Sequence, residues 1–109
     1  MLKYHIPIRL PSLLNTRMHW RKLAKLKQQQ RFATLCCLNS LVPPSMPLVV
    51  TITRVGPRKL DDDNLAGACK YVRDQIANMI GVDDGSELYT WVYQQRTGYY
   101  GVDVEIKQR

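Results

Sequence analysis

The amino-acid sequence predicts a single α+β domain, with the element order β-α-β-α-β-β and a mixed sheet on which two main helices pack. Segments whose apolar residues recur at every second position alternate with segments of helical period, and glycine or proline separates them. The 109 residues suffice for one hydrophobic core but not for two. We therefore expect residues 1–109 to form one domain.

The N-terminal part of the chain predicts the first strand and the first helix. Tyr4, Ile6 and Ile8 alternate with polar residues, which is the period of a half-buried strand. From about Arg17 to Leu41 the chain lacks glycine and proline and is rich in good helix formers. Two consecutive prolines beyond this segment end the predicted helix.

The middle of the chain predicts a second strand followed by a second helix. Leu48 to Val55 is rich in β-branched residues, which favour strands. Apolar residues then recur at helical spacing from Leu65 to Ile80, so we expect one continuous helix there. Asp63 or Asn64 is available as its N-cap, and Gly81 is a typical stop signal.

The C-terminal part of the chain contains two alternating segments, Leu88 to Gln95 and Tyr100 to Lys107, on either side of Gly98. Alternation of apolar and polar residues predicts a strand for each of them. Strands that are joined by a short turn usually pair with each other, so we expect a hairpin.

Charge is distributed very unevenly along the chain, whose formal net charge is +7. Residues 1–60 carry eleven Lys or Arg and no acidic residue, whereas residues 61–109 carry five basic and nine acidic residues. Seven of the nine acids lie between Asp61 and Glu87. A basic body with one acidic region suits a polyanionic substrate held near a bound metal. The alternative is a basic soluble protein without such a substrate.

Three consecutive carboxylates and an amide, Asp61 to Asn64, open the predicted second helix, and Asp83 and Asp84 follow its end. Two carboxylates about 4 Å apart repel by roughly 4 kcal/mol at an effective dielectric near 20 unless a cation neutralises them. A helix N-terminus needs only one aspartate as a cap. Asp61 and Asp63 would point to the same side of an extended segment. The pattern predicts a divalent-metal site, with helix capping alone as the alternative.

Lys70 lies seven residues after Asp63, which is nearly two helical turns. Helical side chains lean toward the N-terminus, and Gly67 leaves the path between the two residues open. Asp74, four residues further on, is placed to pair with the ammonium group. We interpret Lys70 as part of the acidic site, with a solvated lysine on an exposed face as the alternative.

The first helix is strongly basic and predicts contacts to phosphate groups, which carry no sequence information. A solvated amphipathic face is the alternative, because the cations are scattered around the helix. The predicted DNA-binding residues are Arg17, Arg21, Lys22, Lys25, Lys27 and Arg31.

The sequence predicts a cytoplasmic protein without a membrane partner. No apolar run approaches the roughly 20 residues that span a bilayer. Residues 1–5 also lack the apolar stretch of a secretion signal.

The acidic motifs resemble those of the RusA-like Holliday junction resolvases, a family often carried by bacteriophages and prophages. The family signature is an Asp-x-Asp-Asn element that opens a helix, a lysine and an aspartate four residues apart on that helix, and an Asp-Asp pair beyond it. The matching residues here are Asp61 to Asn64, Lys70 with Asp74, and Asp83 with Asp84. The segment from Leu10 to Trp20 is similar to the family's opening segment, so the resemblance touches most of the chain.

The resemblance implies a metal-dependent endodeoxyribonuclease that cuts four-way DNA junctions in recombination and repair. Asp61, Asp63 and Asp84 would be the catalytic carboxylates that hold Mg²⁺ or Mn²⁺. Asp83 would be a fourth ligand or would hold one of the other ligands in place. Lys70 would be the catalytic lysine. In the family the lysine follows the asparagine by three residues, whereas Lys70 follows Asn64 by six. The distance from the carboxylates therefore grows by nearly one helical turn.

The family also implies a homodimer, because a four-way junction has two equivalent strands to cut and twofold symmetry supplies two matching sites. Tyr89, Trp91 and Tyr93 share one face of a predicted strand, for which core packing or a dimer interface is favoured over stacking on unpaired bases. Two further functions remain open. One is a metal-dependent nuclease with another DNA or RNA substrate, and the other is a nucleic-acid binding module without activity.

Overall fold

The computed structural model describes residues 1–13 and 19–109 and confirms the predicted α+β domain. The elements in chain order are β1 (Leu2–Ile6), α1 (Trp20–Cys37), β2 (Leu48–Gly56), α2 (Asp62–Ala68), α3 (Lys70–Ile80), β3 (Tyr89–Thr97) and β4 (Gly101–Gln108). The strands form one mixed sheet in the order β1-β4-β2-β3.

The predicted hairpin between the last two strands is wrong, because β2 lies between β3 and β4. β2 pairs in parallel with β3 and antiparallel with β4. It takes the central position because Leu48, Val50 and Ile52 are fully buried. The connection from Thr97 to Gly101 only has to cross the end of β2, which is roughly 10 Å for two strand spacings.

The helices cover one face of the sheet. Parallel pairing of β2 with β3 requires a crossover connection, which α2 and α3 supply. α1 packs against α3 and against β1. The buried core lies between the helices and the sheet face formed by Leu48, Val50 and Ile52 of β2 and by the matching residues of β4.

The predicted second helix is divided in two at Cys69, and its N-cap is Asp61 rather than Asp63 or Asn64. The N–H of Cys69 donates to the carbonyls of Leu65 and Gly67, which is the pattern of a closing turn. Glycine is a poor helix former, so the helix is weakest just before this break. Gly81 ends α3 in the left-handed conformation, with φ of 85°, as predicted.

The ends of the first strand and of the first helix also differ from the prediction. β1 ends at Ile6 and excludes Ile8, because Pro7 has no N–H to continue the pairing with β4. α1 begins at Trp20 and ends at Cys37, four residues short of the predicted end at Leu41. Among residues 1–13 and 19–109, no helix has both the length and the apolar character needed to cross a membrane.

Candidate functional site

Asp61 is the cap of α2. Its Oδ1 accepts a hydrogen bond from the N–H of Asn64 at 2.9 Å, and its carbonyl accepts from the N–H of Leu65 at 2.8 Å. This is the usual bond of an aspartate N-cap to the third helical residue. One carboxylate therefore satisfies the capping requirement of this helix.

Asp62 and Asp63 fill the first turn of α2 and have no capping role. Both side chains are exposed, and neither takes part in a hydrogen bond or ion pair within the described part of the chain. A helix N-terminus stabilises nearby negative charge by about 0.3–1 kcal/mol, which only partly offsets the mutual repulsion of adjacent carboxylates. Their oxygens remain available to a cation or to water.

Hydrogen bonds of Asn64 and Leu60 fix the two ends of the acidic segment, which we define as residues 61–64. Asn64 is buried, and its Oδ1 accepts a hydrogen bond from the hydroxyl of Ser12 at 2.9 Å. Gln95 of β3 makes two hydrogen bonds to the backbone of Leu60. Its Oε1 accepts from the Leu60 N–H at 2.9 Å, and its Nε2 donates to the Leu60 carbonyl at 2.6 Å. The acidic segment is thus attached to both the N-terminal segment and the sheet.

Asp84 is held by Arg73 of α3. Nε of Arg73 donates to the Asp84 carboxylate at 3.0 Å, and Nη2 donates to the Asp84 carbonyl at 3.0 Å. The remaining nitrogen, Nη1, donates to the hydroxyl of Tyr93 at 2.6 Å, and the guanidinium lies 4.8 Å from the ring centre of Trp91. Trp91 Nε1 also donates to the Asp84 carbonyl at 2.9 Å. Asp84 is therefore an ordered carboxylate with a fixed position.

Asp83 shapes the turn between α3 and β3. Its carboxylate accepts from the N–H of Gly85 at 3.1 Å, and its carbonyl accepts from the N–H of Ser86 at 3.0 Å. Asp74, Asp83 and Asp84 all line one polar pocket of about 540 Å³ beside Arg31. This pocket concentrates negative charge at the C-terminal end of α3.

The acidic segment and a second one, residues 83–84, are attached to the same face of β3. Trp91 and Tyr93 form hydrogen bonds with the Arg73–Asp84 pair. Gln95 forms hydrogen bonds with Leu60, the residue before Asp61. Alternate residues of a strand share a face, and the four-residue step from Trp91 to Gln95 is about 13 Å. Within residues 1–13 and 19–109, no three His, Cys, Asp or Glu residues lie close enough together to hold a metal ion. The convergence of Asp61, Asp63 and Asp84 on one ion stays a prediction.

Lys70 is exposed at the first position of α3. The interruption at Cys69 puts Lys70 and Asp63 on separate helices, α3 and α2, instead of the one continuous helix that was predicted. The place of Lys70 in the acidic site stays a prediction. The ion pairs of the described residues do not include the predicted pair of Lys70 with Asp74.

The basic residues of α1 divide between two sides of the helix. Lys22 and Lys25 line a cleft of about 680 Å³ that Arg9 also lines, whereas Lys27 and Arg31 line a separate groove. Arg21, Lys22, Lys25 and Lys27 are exposed, but Arg31 is half-buried and donates to Oε1 of Gln75 at 3.0 Å. The predicted DNA contact at Arg17 lies outside the described residues.

Arg73 and Gln95 were not among the residues singled out from the sequence. Arg73 follows Asp63 by ten residues and precedes Asp84 by eleven, so no local motif links it to either. Gln95 reaches Leu60 only because β3 pairs with β2. Sequence spacing carries no signal for either contact.

No family model, no curated protein and no solved structure matches this chain.

The donor chemistry of the acidic segment fits a hard divalent cation. Mg²⁺ prefers carboxylate oxygens and retains several waters, so it needs only one or two protein carboxylates. The exposed carboxylates of Asp62 and Asp63 and the second oxygen of Asp61 meet that requirement. Asp84 would join them only by sharing its carboxylate with Arg73.

Proposed function

We propose that this chain is a metal-dependent endonuclease that hydrolyses phosphodiester bonds in branched DNA, with the four-way junction as its substrate. The observation that carries the proposal is that Asp61, Asp62 and Asp63 stand together although Asp61 alone caps the helix. Adjacent carboxylates beyond the structural need indicate a site for a cation. The resemblance to the RusA-like resolvases supplies the substrate.

The surroundings of the acidic segment support a polyanionic substrate. Arg58 and Lys59 lie just before it, separated from Asp61 only by Leu60, and both are exposed. Arg9 lines the same cleft as Lys22 and Lys25. A DNA backbone that contacts these cations would bring a phosphodiester close to the carboxylates.

The roles proposed for the carboxylates and for Lys70 come from the resemblance to the RusA-like resolvases. Asp61, Asp63 and Asp84 would hold Mg²⁺ or Mn²⁺, and Asp83 would support Asp84 from the turn. When bound, the ion would activate water and stabilise charge on the phosphoryl group. Arg73 orients the carboxylate of Asp84. Lys70, exposed at the start of α3, would offset charge on the phosphate.

We also propose a homodimer, since twofold symmetry matches the two strands cut in a junction. Tyr89 is buried in the core, whereas Trp91 and Tyr93 are half-buried at the edge strand β3. Sedimentation of the full chain tests this directly. A sedimenting monomer at micromolar concentration, with junction DNA absent and present, contradicts the dimer.

The test of function is cleavage of synthetic four-way junctions, flaps and linear duplexes of equal length with Mg²⁺. We expect symmetric nicking of the junction by the wild-type chain and at least about a 100-fold loss in Asp63→Asn, since the effect of a group that stabilises the transition state is of that order. Binding of the junction in EDTA should be kept or strengthened, because a negative charge is removed. Asp103→Asn, on the opposite face of the sheet, is the control for loss of one carboxylate.

Each alternative predicts a different result. Equal cutting of flaps or duplexes indicates a nuclease with a broader substrate range. A binding module without activity predicts no cutting and an unchanged Asp63→Asn variant.

A further inference from the structure

Arg54 breaks the hydrophobic pattern of the central strand. Leu48, Val50, Ile52 and Arg54 alternate along β2 toward the helices, and Arg54 is only 6% exposed. Its strand neighbours at this level are Val102 of β4 and Gln95 of β3. The core face of a central strand is an unusual place for a guanidinium, which is always charged.

The hydrogen bonds of Arg54 use Nε and Nη1 but leave its charge without an ionic partner among the described residues. Nε donates to the Leu10 carbonyl at 2.7 Å, and Nη1 donates to the Arg58 carbonyl at 2.8 Å. Both acceptors are neutral, and Nη2 takes part in none of the hydrogen bonds of the described residues. Nor does Arg54 belong to any ion pair among residues 1–13 and 19–109. A buried charge is normally paired, so the missing partner is an anion.

Among the described residues, the groups around Arg54 include no counterion. Burial is the main cause that lowers the pKa of Arg54, and neighbouring Arg9 lowers this pKa further. Cys69 and Tyr100 act in the opposite direction. Burial raises the pKa of the Cys69 thiol to about 12, so this thiol is uncharged at pH 7. Within residues 1–13 and 19–109, no carboxylate is among the causes that shift this pKa.

A pocket of about 500 Å³ opens beside the guanidinium. Its lining includes three cations, Arg9, Arg54 and Arg58, together with Ser12 and Tyr100. The Arg9 guanidinium lies 5.0 Å from the ring centre of Tyr100, which holds it at the rim. Leu60, the residue before Asp61, also lines this pocket, so it borders the acidic segment.

Gly56 provides the space in which the Arg54 guanidinium lies. A Cβ at residue 56 would stand 3.1 Å from Nη1 and 3.3 Å from both Cζ and Nη2 of Arg54. Any side chain there would displace the guanidinium by a few tenths of an ångström. The glycine therefore keeps this face of the pocket at its present shape.

We propose that the pocket lined by Arg9, Arg54 and Arg58 binds a phosphodiester group of the nucleic-acid backbone next to the acidic segment. Arginine suits this role because its planar fork donates two parallel bonds to a phosphate. Arg9 and Pro11 also line the cleft that contains Lys22 and Lys25, so cations continue beyond the pocket. A row of cations fits successive phosphates of a polynucleotide rather than one isolated ion.

This inference rests on the proposed function only in taking nucleic acid as the substrate, and its test needs neither metal nor cleavage. The ¹⁵N-labelled full chain is titrated with inorganic phosphate in EDTA at constant ionic strength, and the Nε–H signal of Arg54 is followed. We expect a saturable shift of that signal. Arg58→Gln should weaken the binding at least about fivefold, as expected for loss of a charge-assisted hydrogen bond. Lys107→Gln, which removes an exposed charge near the opposite end of β2, should leave it unchanged.

A second arm separates nucleic acid from free phosphate. Binding of a fluorescein-labelled DNA duplex is measured in EDTA against salt concentration. Loss of one phosphate contact makes the negative slope of log K against log salt shallower by about 0.9. We expect this change for Arg9→Gln and for Arg58→Gln but not for Lys107→Gln. Arg54→Lys, which keeps the charge and loses the fork, should weaken DNA binding while the circular dichroism spectrum is retained.

The inference is overturned if the Arg54 signal does not shift saturably, or if Arg58→Gln binds phosphate as the wild type does. Unchanged salt slopes in both Arg9→Gln and Arg58→Gln overturn its assignment to nucleic acid. A chain that binds phosphate here but cuts no junction would retain this inference and lose the proposed function. A chain that cuts junctions without phosphate binding at Arg54 would do the reverse.

Discussion

Arg73 holds Asp84 through two hydrogen bonds, one from Nε to the carboxylate and one from Nη2 to the carbonyl, each 3.0 Å long. The pair connects α3 to the turn before β3. The same guanidinium also reaches Tyr93 and lies over Trp91. Asp84 is therefore positioned by the fold before any ligand binds.

Arg73→Gln should destabilise the chain by about 1–2 kcal/mol, because several contacts of one half-buried side chain are lost together and the ion pair itself is partly screened. The measurement is urea unfolding at pH 7. Arg96→Gln is the matched control. The Arg96 side chain is exposed, so its hydrogen bond to Asp103 should contribute less than about 1 kcal/mol to stability. Equal effects of the two substitutions would contradict the importance assigned to the Arg73–Asp84 pair.

Asp61→Ala should lower the free energy of unfolding by about 1 kcal/mol, because the N-cap bond to Asn64 is lost. Asp62→Ala removes an equal charge from the same turn without touching a cap bond, and we expect a change of less than about 0.5 kcal/mol. Thermal or urea unfolding of both variants decides this. An equal loss in the two variants would mean that Asp61 is not the cap.

Gln95→Ala should release the segment before Asp61, because both hydrogen bonds to Leu60 disappear. We expect a loss of roughly 1–3 kcal/mol in stability and faster hydrogen exchange at the amides of residues 60–63. Gln94→Ala is the control, since the neighbouring side chain is exposed and points to the other face of β3. If exchange rises equally in both, Gln95 does not hold the acidic segment.

The sequence identified the fold class and most elements because these depend on local period and on punctuation by glycine and proline. It predicted the wrong partner for β3, since pairing with β2 is decided by burial of a distant strand. The break at Cys69 was not predicted, because the apolar residues from 65 to 80 keep one helical period across both helices. Strand alternation placed Arg54 on the same face as Leu48, Val50 and Ile52, so its burial was visible in the sequence and was missed.

Acid should destabilise the chain in part through Asp103. Burial alone would raise the pKa of this carboxyl, but hydrogen bonds from His5 and Arg96 outweigh burial and lower the pKa below its usual value of 3.8. A carboxyl whose pKa is depressed on folding stabilises the fold above its unfolded pKa, and this contribution is lost as pH falls through the folded value.

The check for Asp103 is the free energy of unfolding of wild type and Asp103→Asn between pH 7 and pH 2. We expect the wild type to be more stable at pH 7, and we expect the difference to begin to shrink as pH falls below about 4 and to be smallest at pH 2, below the depressed folded pKa. A difference that grows on acidification would contradict the depressed pKa.

The measurement that tests the metal site most directly is anomalous diffraction from crystals of the full chain soaked in MnCl₂. We expect a peak bound by oxygens of Asp61 or Asp63 and of Asp84, at roughly 2.1 Å from each ligand. The peak should be absent in crystals of Asp63→Asn. A peak on Asp83 and Asp84 alone, or no peak at a manganese concentration that supports cleavage, would contradict a shared ion between the two acidic segments.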